Sequence, residues 1–258
     1  MKKNIDIAKE YDSIYEKLSA TTLLQDILKK AFDADYIQEI NQFSFLKRKD
    51  LNQIHDVLSI IPSPLLGLEL GCGTGELTSE LARIHNGKWF GLDISSTAIK
   101  LANQRIQKTY TSFSVNFAIG HFESIPLPLS SIDCIIAIDS IQHSAPYIVS
   151  AFEINRVLKP GGYLIFSNWI KRAPTSQLIL EDPLYVELIK NNFIILTTID
   201  TDPNLAKQIE VYSEIYRRKL DVERILGRHF LENLIREGHH ILISRNSIQR
   251  ALTIARKQ

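Results

Sequence analysis

The stretch Leu66-Gly67-Leu68-Glu69-Leu70-Gly71-Cys72-Gly73-Thr74-Gly75 constrains this chain more than any other, together with Trp89-Phe90-Gly91-Leu92-Asp93 after it. A short apolar run bounded by glycines reads as a buried strand. The glycines then turn the chain into a helix, and the second apolar run is a strand that ends on an acid. Glycine at alternate positions lets backbone approach a ligand closely and take positive φ without a steric penalty. The first N–H groups of the new helix face the same space and suit an anion such as a carboxylate. Asp93, at a strand end, can accept both hydroxyl hydrogens of a ribose. The chemistry specified is a nucleoside with a small anionic appendage.

The glycine spacing is G-x-G-x-G, not the G-x-G-x-x-G of a dinucleotide fingerprint. Glu69 stands two residues before the loop, where its charge would repel a pyrophosphate but suit an ammonium or sulfonium group. Both features disfavour a nicotinamide oxidoreductase. Three further segments bear on the reading: Phe90-Gly91-Leu92-Asp93-Ile94-Ser95; Gly120-His121-Phe122-Glu123-Ser124-Ile125-Pro126 with the apolar run Ile132 to Ile138; and Glu153-Ile154-Asn155-Arg156-Val157-Leu158-Lys159-Pro160-Gly161-Gly162. Taken together, these residues resemble the class I S-adenosylmethionine-dependent methyltransferases of small-molecule type, closely over residues 66–170. The resemblance implies S-adenosylmethionine as cofactor and S-adenosylhomocysteine as product. It implies a cofactor site built from Glu69, Gly71, Cys72, Gly73, Gly75, Asp93, Ile94, His121, Phe122 and Glu123. The family commonly has Asp where His121 stands, so adenine recognition is expected to rest on the backbone around Phe122 and an apolar sandwich.

The fold expected is α/β: a Rossmann-like, seven-stranded, mostly parallel sheet, with an N-terminal helical cap and helices inserted before the last strand. Strands are expected near Leu65–Leu70, Trp89–Asp93, Val115–Ile119, Ile132–Ile138, Tyr163–Asn168, Ile194–Asp200 and Ala251–Arg256, alternating with helices as right-handed crossovers require. Ile5 to Ile61 reads as helical, and Pro203 to Ile243 reads as two or three helices. The organisation expected is a cap over residues 1–63, a core over 64–202, a helical lid over 203–246 and the last strand over 247–258. Ligands of an open parallel sheet lie beyond the C-terminal strand ends. Both helical segments must cover that edge to bury their apolar stripes, which makes a lidded pocket.

Asp139-Ser140-Ile141-Gln142-His143 follows the fourth strand, where small-molecule methyltransferases commonly face the methyl. His143 is a candidate general base, since its ordinary pKa lies near working pH. The alternative is a histidine that caps a helix or bonds backbone. Asp139 either orients the acceptor, binds the cofactor's amino group or caps the next helix. Tyr11 and Tyr15 resemble tyrosines that close over the cofactor, with simple helix packing as the alternative. Tyr15, Phe43, Gln142, His143 and Trp169 are the candidates for lining the acceptor site. Phe43 and Phe45, in Gln42-Phe43-Ser44-Phe45, either line the pocket or staple the cap.

The partner expected is a small-molecule acceptor. The net charge of +1 offers no field for nucleic acid or anionic lipid. No apolar run approaches the about 20 residues of a membrane span. Met1-Lys2-Lys3-Asn4 opens no signal core, and Cys72 and Cys134 make no disulfide framework, so a reduced cytoplasm and a monomer or homodimer are expected. The histidines lack metal-ligand spacing, and no metal is expected. Two functions stay open: methyl transfer to O, N or C of a small molecule, and non-catalytic binding of the cofactor for sensing or assembly.

Overall fold

The computed structural model describes residues 2–40, 43–108, 114–144, 146–172 and 181–258. Gln42 lies outside the described residues. The apolar runs become seven strands: β1 Leu65–Leu70, β2 Gly87–Asp93, β3 Ser114–Ile119, β4 Ile132–Ala137, β5 Leu158–Lys171, β6 Phe193–Asp200 and β7 Ile248–Lys257. Their order across the sheet is β3-β2-β1-β4-β5-β7-β6. The first five run parallel, and β7 is antiparallel to both β5 and β6. β5 is longer than its apolar run because it pairs with β7 from Tyr163 to Lys171.

Central strands of such a sheet are covered on both faces and read as continuous apolar runs. Alternate residues of one run go to opposite faces. Ile135 and Ala137 join Leu68, Leu70, Leu164 and Phe166 on one face. Cys134 and Ile136 join Leu65, Leu81, Trp89 and Ile165 on the other.

The helices on the chain before β1 are α1 Lys2–Ser19, α2 Leu23–Phe32 and α3 Arg48–Ser59. Those between strands are α4 Glu76–Ile84, α5 Ser96–Lys108, α6 Tyr147–Val157 and α7 Pro183–Lys190. The stretch before β7 forms α8 Ala206–Arg217, α9 Lys219–Leu226 and α10 Arg228–Ser244. The helical reading of the N-terminal stretch needs one correction. After a short turn at Asp33–Asp35, the described residues from Tyr36 to Lys47 are not helical. Their backbone is held instead by side chains, among them Asp139, whose carboxylate accepts the Phe45 N–H at 2.8 Å.

The two helical segments share one core. Leu24, Ile27, Leu28 and Phe32 of α2 pack with Val211, Ile215, Leu226, Phe230 and Leu234. Segments almost two hundred residues apart therefore form a single cover, because neither stripe can be buried alone. That cover meets the sheet at the C-terminal ends of β1, β2 and β4.

Candidate active site

Three glycines hold the loop after β1 in left-handed backbone: Gly71 at φ 75°, Gly73 at 53° and Gly75 at 74°. The Gly71 and Cys72 N–H groups donate to Leu92 O at 2.7 and 3.0 Å, which fastens the loop to β2. The Asp93 carboxylate accepts the Gly73 N–H and the Ser95 N–H, each at 2.8 Å. Burial raises its pKa, and these N–H groups work against that shift. A carboxylate offers about four acceptor directions, so both oxygens keep capacity for hydroxyls. Ile94 continues the strand end. Cys72 is buried and its thiol is pushed up by that burial, so it serves as a small loop residue and not as a nucleophile.

The loop borders a cavity of about 210 Å³ lined by Tyr15, Glu69, Gly71, Cys72, Gly73 and Thr74 among others. A Cβ on Gly73 would meet the Tyr15 hydroxyl at 2.7 Å. Glu69 is 4% exposed and accepts the Thr78 hydroxyl. Among the described residues it pairs with no basic side chain, and burial raises its pKa to about 8, the Thr78 bond opposing. A buried carboxyl without a cation of its own is a fit for a cationic ligand group. The cradle of glycine backbone, Asp93 and Glu69 thus matches ribose, carboxylate and ammonium of S-adenosylmethionine.

Helix α1 closes over this cradle. Asp12 accepts from Ser95 Oγ at 2.6 Å, Ser96 Oγ at 3.0 Å and Thr97 N at 2.9 Å at the start of α5. Burial works to raise its pKa, but the bonds from Ser95, Thr97 and Ser96 hold its carboxyl below the ordinary value. This latch escaped the sequence reading, although its signal was present in the acid between two tyrosines. It sets Tyr15 against Gly73 of the glycine loop, where Tyr15 lines the cavity with Phe43. Tyr11 lies 6.4 Å from the Tyr15 ring and edge-on to His143 at 6.2 Å.

Beyond the end of β4 the structure redistributes the candidates. Asp139 accepts from Arg250 at 2.9 and 3.0 Å and from the Ser167 hydroxyl at 2.8 Å, besides Phe45 N. A carboxylate so engaged has no free lone pair for base catalysis, so Asp139 is corrected from catalytic and cofactor-binding candidate to anchor. It is not a helix cap either; its φ of 50° turns the chain into the short helical turn Ile141–Ser144. Arg250, 1% exposed, also reaches Asp50 at 3.3 Å and Thr201 Oγ1 at 2.7 Å. No sequence signal marked it.

His143 stands at the edge of that turn. Burial lowers its pKa, with Asp139 opposing, so the ring is neutral at neutral pH. Gln142 Nε2 donates to Asp139 O at 2.8 Å. Its Oε1 is buried with no partner among the described residues. Trp169 is tied to the cover, donating to Gln208 Oε1 at 2.8 Å with its ring 6.0 Å from Phe45. Phe43 is 42% exposed, lines the cavity and lies 6.3 Å from Phe230. His121, Phe122 and Glu123 follow β3 as a half-buried loop joined to β2 by Gly120 N on Asp93 O at 3.0 Å. Phe122 packs on the core, and Glu153 fixes the loop by accepting Ile125 N at 2.9 Å. Among the described residues, no three His, Cys, Asp or Glu side chains converge as metal ligands.

The family described as "Methyltransferase domain" matches residues 68–166. An O-methyltransferase of Pyrenophora dematioidea is 27% identical over 148 residues, 52% of this chain and 55% of that protein. An O-methyltransferase of Aspergillus nomiae is 25% identical over 164 residues, 62% of this chain and 72% of its own. The chain thus spans about half the length of the first of these relatives. In architecture it is similar to a putative sarcosine dimethylglycine methyltransferase of Galdieria sulphuraria, with TM-score 0.70 and 21% identity over 81% of this chain and 84% of that one. With the glycine cradle, Asp93 and the strand order in place, the chain resembles the class I S-adenosylmethionine-dependent methyltransferases, and its residues 68–166 match their methyltransferase domain.

Proposed function

We propose that this protein transfers the methyl group of S-adenosylmethionine to a small-molecule acceptor, with His143 as the base that takes the acceptor's proton. The observation that supports it most is the placement of a neutral imidazole against Tyr11 at the seam between the cofactor cradle and the helical cover. The bound cofactor supplies an electrophilic methyl on sulfonium. Asp93, Glu69 and the loop backbone hold it, Tyr15 and the Asp12 latch shield it from water, and Asp139 with Arg250 keeps the His143 turn in place. Helix α1 with the described residues between Tyr36 and Lys47 serves as cap and α8–α10 as lid. Among the described residues no helix is long and apolar enough to cross a membrane.

His143→Ala is expected to cut turnover by about 10²–10⁴-fold while S-adenosylhomocysteine affinity stays as in the parent. Because burial lowers the His143 pKa, the parent's rate should level off at a pH below that of an ordinary histidine. Single-turnover rates over pH with calorimetry of cofactor binding check both points. A loss under about threefold at every pH would leave His143 structural.

Glu69 makes cofactor binding pH-dependent. Its carboxyl holds a proton up to about pH 8, and a cationic group favours the ionised form. Binding therefore releases a proton, and affinity should rise about tenfold per pH unit between pH 6 and 8 before flattening, as a one-proton linkage requires. The same raised pKa makes ionising Glu69 destabilise the free protein. Its contribution is fullest below the ordinary carboxyl value and is lost as pH rises through about 8. Calorimetry in buffers of different ionisation enthalpy reads the proton directly. Proton uptake, or none, would overturn the role given to Glu69.

A further inference from the structure

We propose that Glu153 and Arg156 on α6 are positioning residues for the adenine of S-adenosylmethionine: together they hold the loop after β3 in the shape that receives the base. Their role rests on the cofactor occupying the glycine cradle, as the methyl-transfer reading has it.

The sheet order places the loop. Strands β1, β2 and β3 stand side by side, and neighbouring strands lie about 4.8 Å apart. Glu69 near the end of β1 suits the ammonium, and Asp93 at the end of β2 suits the ribose. A ligand extended along that row brings its base to the end of β3. There Gly120 N donates to Asp93 O at 3.0 Å, and the chain enters His121-Phe122-Glu123. An adenine edge offers an amino donor beside a ring-nitrogen acceptor, and loop backbone can meet both only when its spacing is fixed.

That loop has little backbone pairing of its own. Parallel strands are joined by a crossover that usually contains a helix. Residues 120–131 carry the chain from β3 past β2 and β1 to β4 and contain none. One turn is closed by Ser124 N on His121 O at 3.2 Å, another by Leu127 N on Ile125 O at 2.8 Å. Pro126 and Pro128 have no N–H to give. Buried backbone groups need partners, so the rest must come from outside the loop.

Helix α6 supplies them. Arg156 donates from Nη1 to Leu127 O and from Nη2 to Ile125 O, each at 2.8 Å. Glu153 Oε2 accepts Ile125 N at 2.9 Å. The two side chains also hold each other. Arg156 Nε and Nη2 reach Glu153 Oε1 and Oε2 at 2.7 and 2.9 Å, a two-pronged pair across one helical turn. Ile125, 3% exposed, seats the loop in the core with Phe122 and Leu127 packed beside it. Hydrogen bonds from Arg156 hold the Glu153 carboxyl below its ordinary value against burial, so the clamp stays charged at neutral pH. Lysine could not take the place of Arg156, because a point charge cannot fork to a carboxylate and two carbonyls at once. The clamp fixes Ile125 and Leu127, just beyond Phe122, so it acts on the base through the loop and touches no reacting atom.

The test titrates S-adenosylhomocysteine and S-inosylhomocysteine into the full chain. In the second ligand a carbonyl replaces the adenine amino group and the adjacent ring nitrogen carries a proton. The parent should bind the adenine ligand at least about tenfold more tightly, since the analogue leaves the loop's donor and acceptor unpaired. Arg156→Lys and Arg156→Met should each bring that preference to about threefold or less, by weakening S-adenosylhomocysteine and leaving S-inosylhomocysteine nearly unchanged. Glu153→Gln, which can still accept Ile125 N, should fall between them and the parent. Asp93→Ala should weaken both ligands alike and keep the preference, because it acts on the ribose that they share. Calorimetry reads the affinities and circular dichroism the fold. If Arg156→Met does not fold, Arg156→Lys and Glu153→Gln carry the same comparison. A parent that binds both ligands equally, or a preference that stays intact in the folded Arg156→Lys or Glu153→Gln protein, would overturn the proposal. Failure of the parent to bind S-adenosylhomocysteine at all would instead overturn the methyl-transfer reading.

Discussion

Replacing Gly73 with valine is expected to leave a folded protein whose affinity for S-adenosylhomocysteine is lower by more than about 100-fold, since van der Waals overlap in a closed cradle cannot be relieved. Two causes act together. At φ 53° a branched side chain is strained by about 1–3 kcal/mol. Its Cβ alone would meet the Tyr15 hydroxyl at 2.7 Å, and the added methyls enter the cavity proposed for the cofactor. Tyr15 cannot retreat easily, because the Asp12 latch holds α1 on α5. Gly73→Ala should fall between parent and Gly73→Val, and adding Tyr15→Phe should restore part of its loss. Calorimetry with circular dichroism checks this. Near-parental affinity in a folded Gly73→Val protein would show that the cofactor lies elsewhere.

Arg250→Met is expected to cost about 3–5 kcal/mol of stability, the usual penalty for removing one partner of a buried ion pair. Arg250 is 1% exposed and serves both Asp139 and Asp50, which its loss leaves buried and uncompensated. For a chain of this size that is a fall in Tm on the order of 10 °C. The deficit has a pH signature. Burial already raises the Asp50 pKa against the pull of Arg250, and without Arg250 it rises further. A carboxyl raised in the folded state is most favourable below its unfolded pKa and loses stability as pH rises through the folded one. The gap between parent and variant should therefore be small near pH 4 and widen toward neutrality, since the unfolded Asp pKa is about 3.9. Urea unfolding over that range measures it. Turnover should fall more than cofactor affinity, because Asp139 positions the His143 turn and the Phe45 backbone. A gap that stays constant with pH would remove the buried pair as its cause.

Local features of this protein were legible because their causes are local. The apolar runs of β1 and β4, the glycine turn and the acid ending β2 each follow from what a few consecutive residues can do. His143 was legible as a candidate because it follows β4, and Tyr11 only through the family resemblance. Asp139 was read as a catalytic group or helix cap, since its role depends on Arg250, 111 residues away, and no pattern announces that partner. The same holds for Lys47 with Thr201 and Trp169 with Gln208.

By itself, then, the sequence determined the strand and helix alternation, the nucleotide-type cradle at Gly71 to Gly75 and the acid at Asp93. These are set by steric limits on φ and by the burial of short apolar runs. Tertiary structure alone decided that α2 and α8–α10 form one cover, that Asp12 latches α1, and that Arg250 meets both Asp139 and Asp50. Such arrangements depend on which helix faces meet, and amphipathic stripes specify only that a face is buried, not what it is buried against.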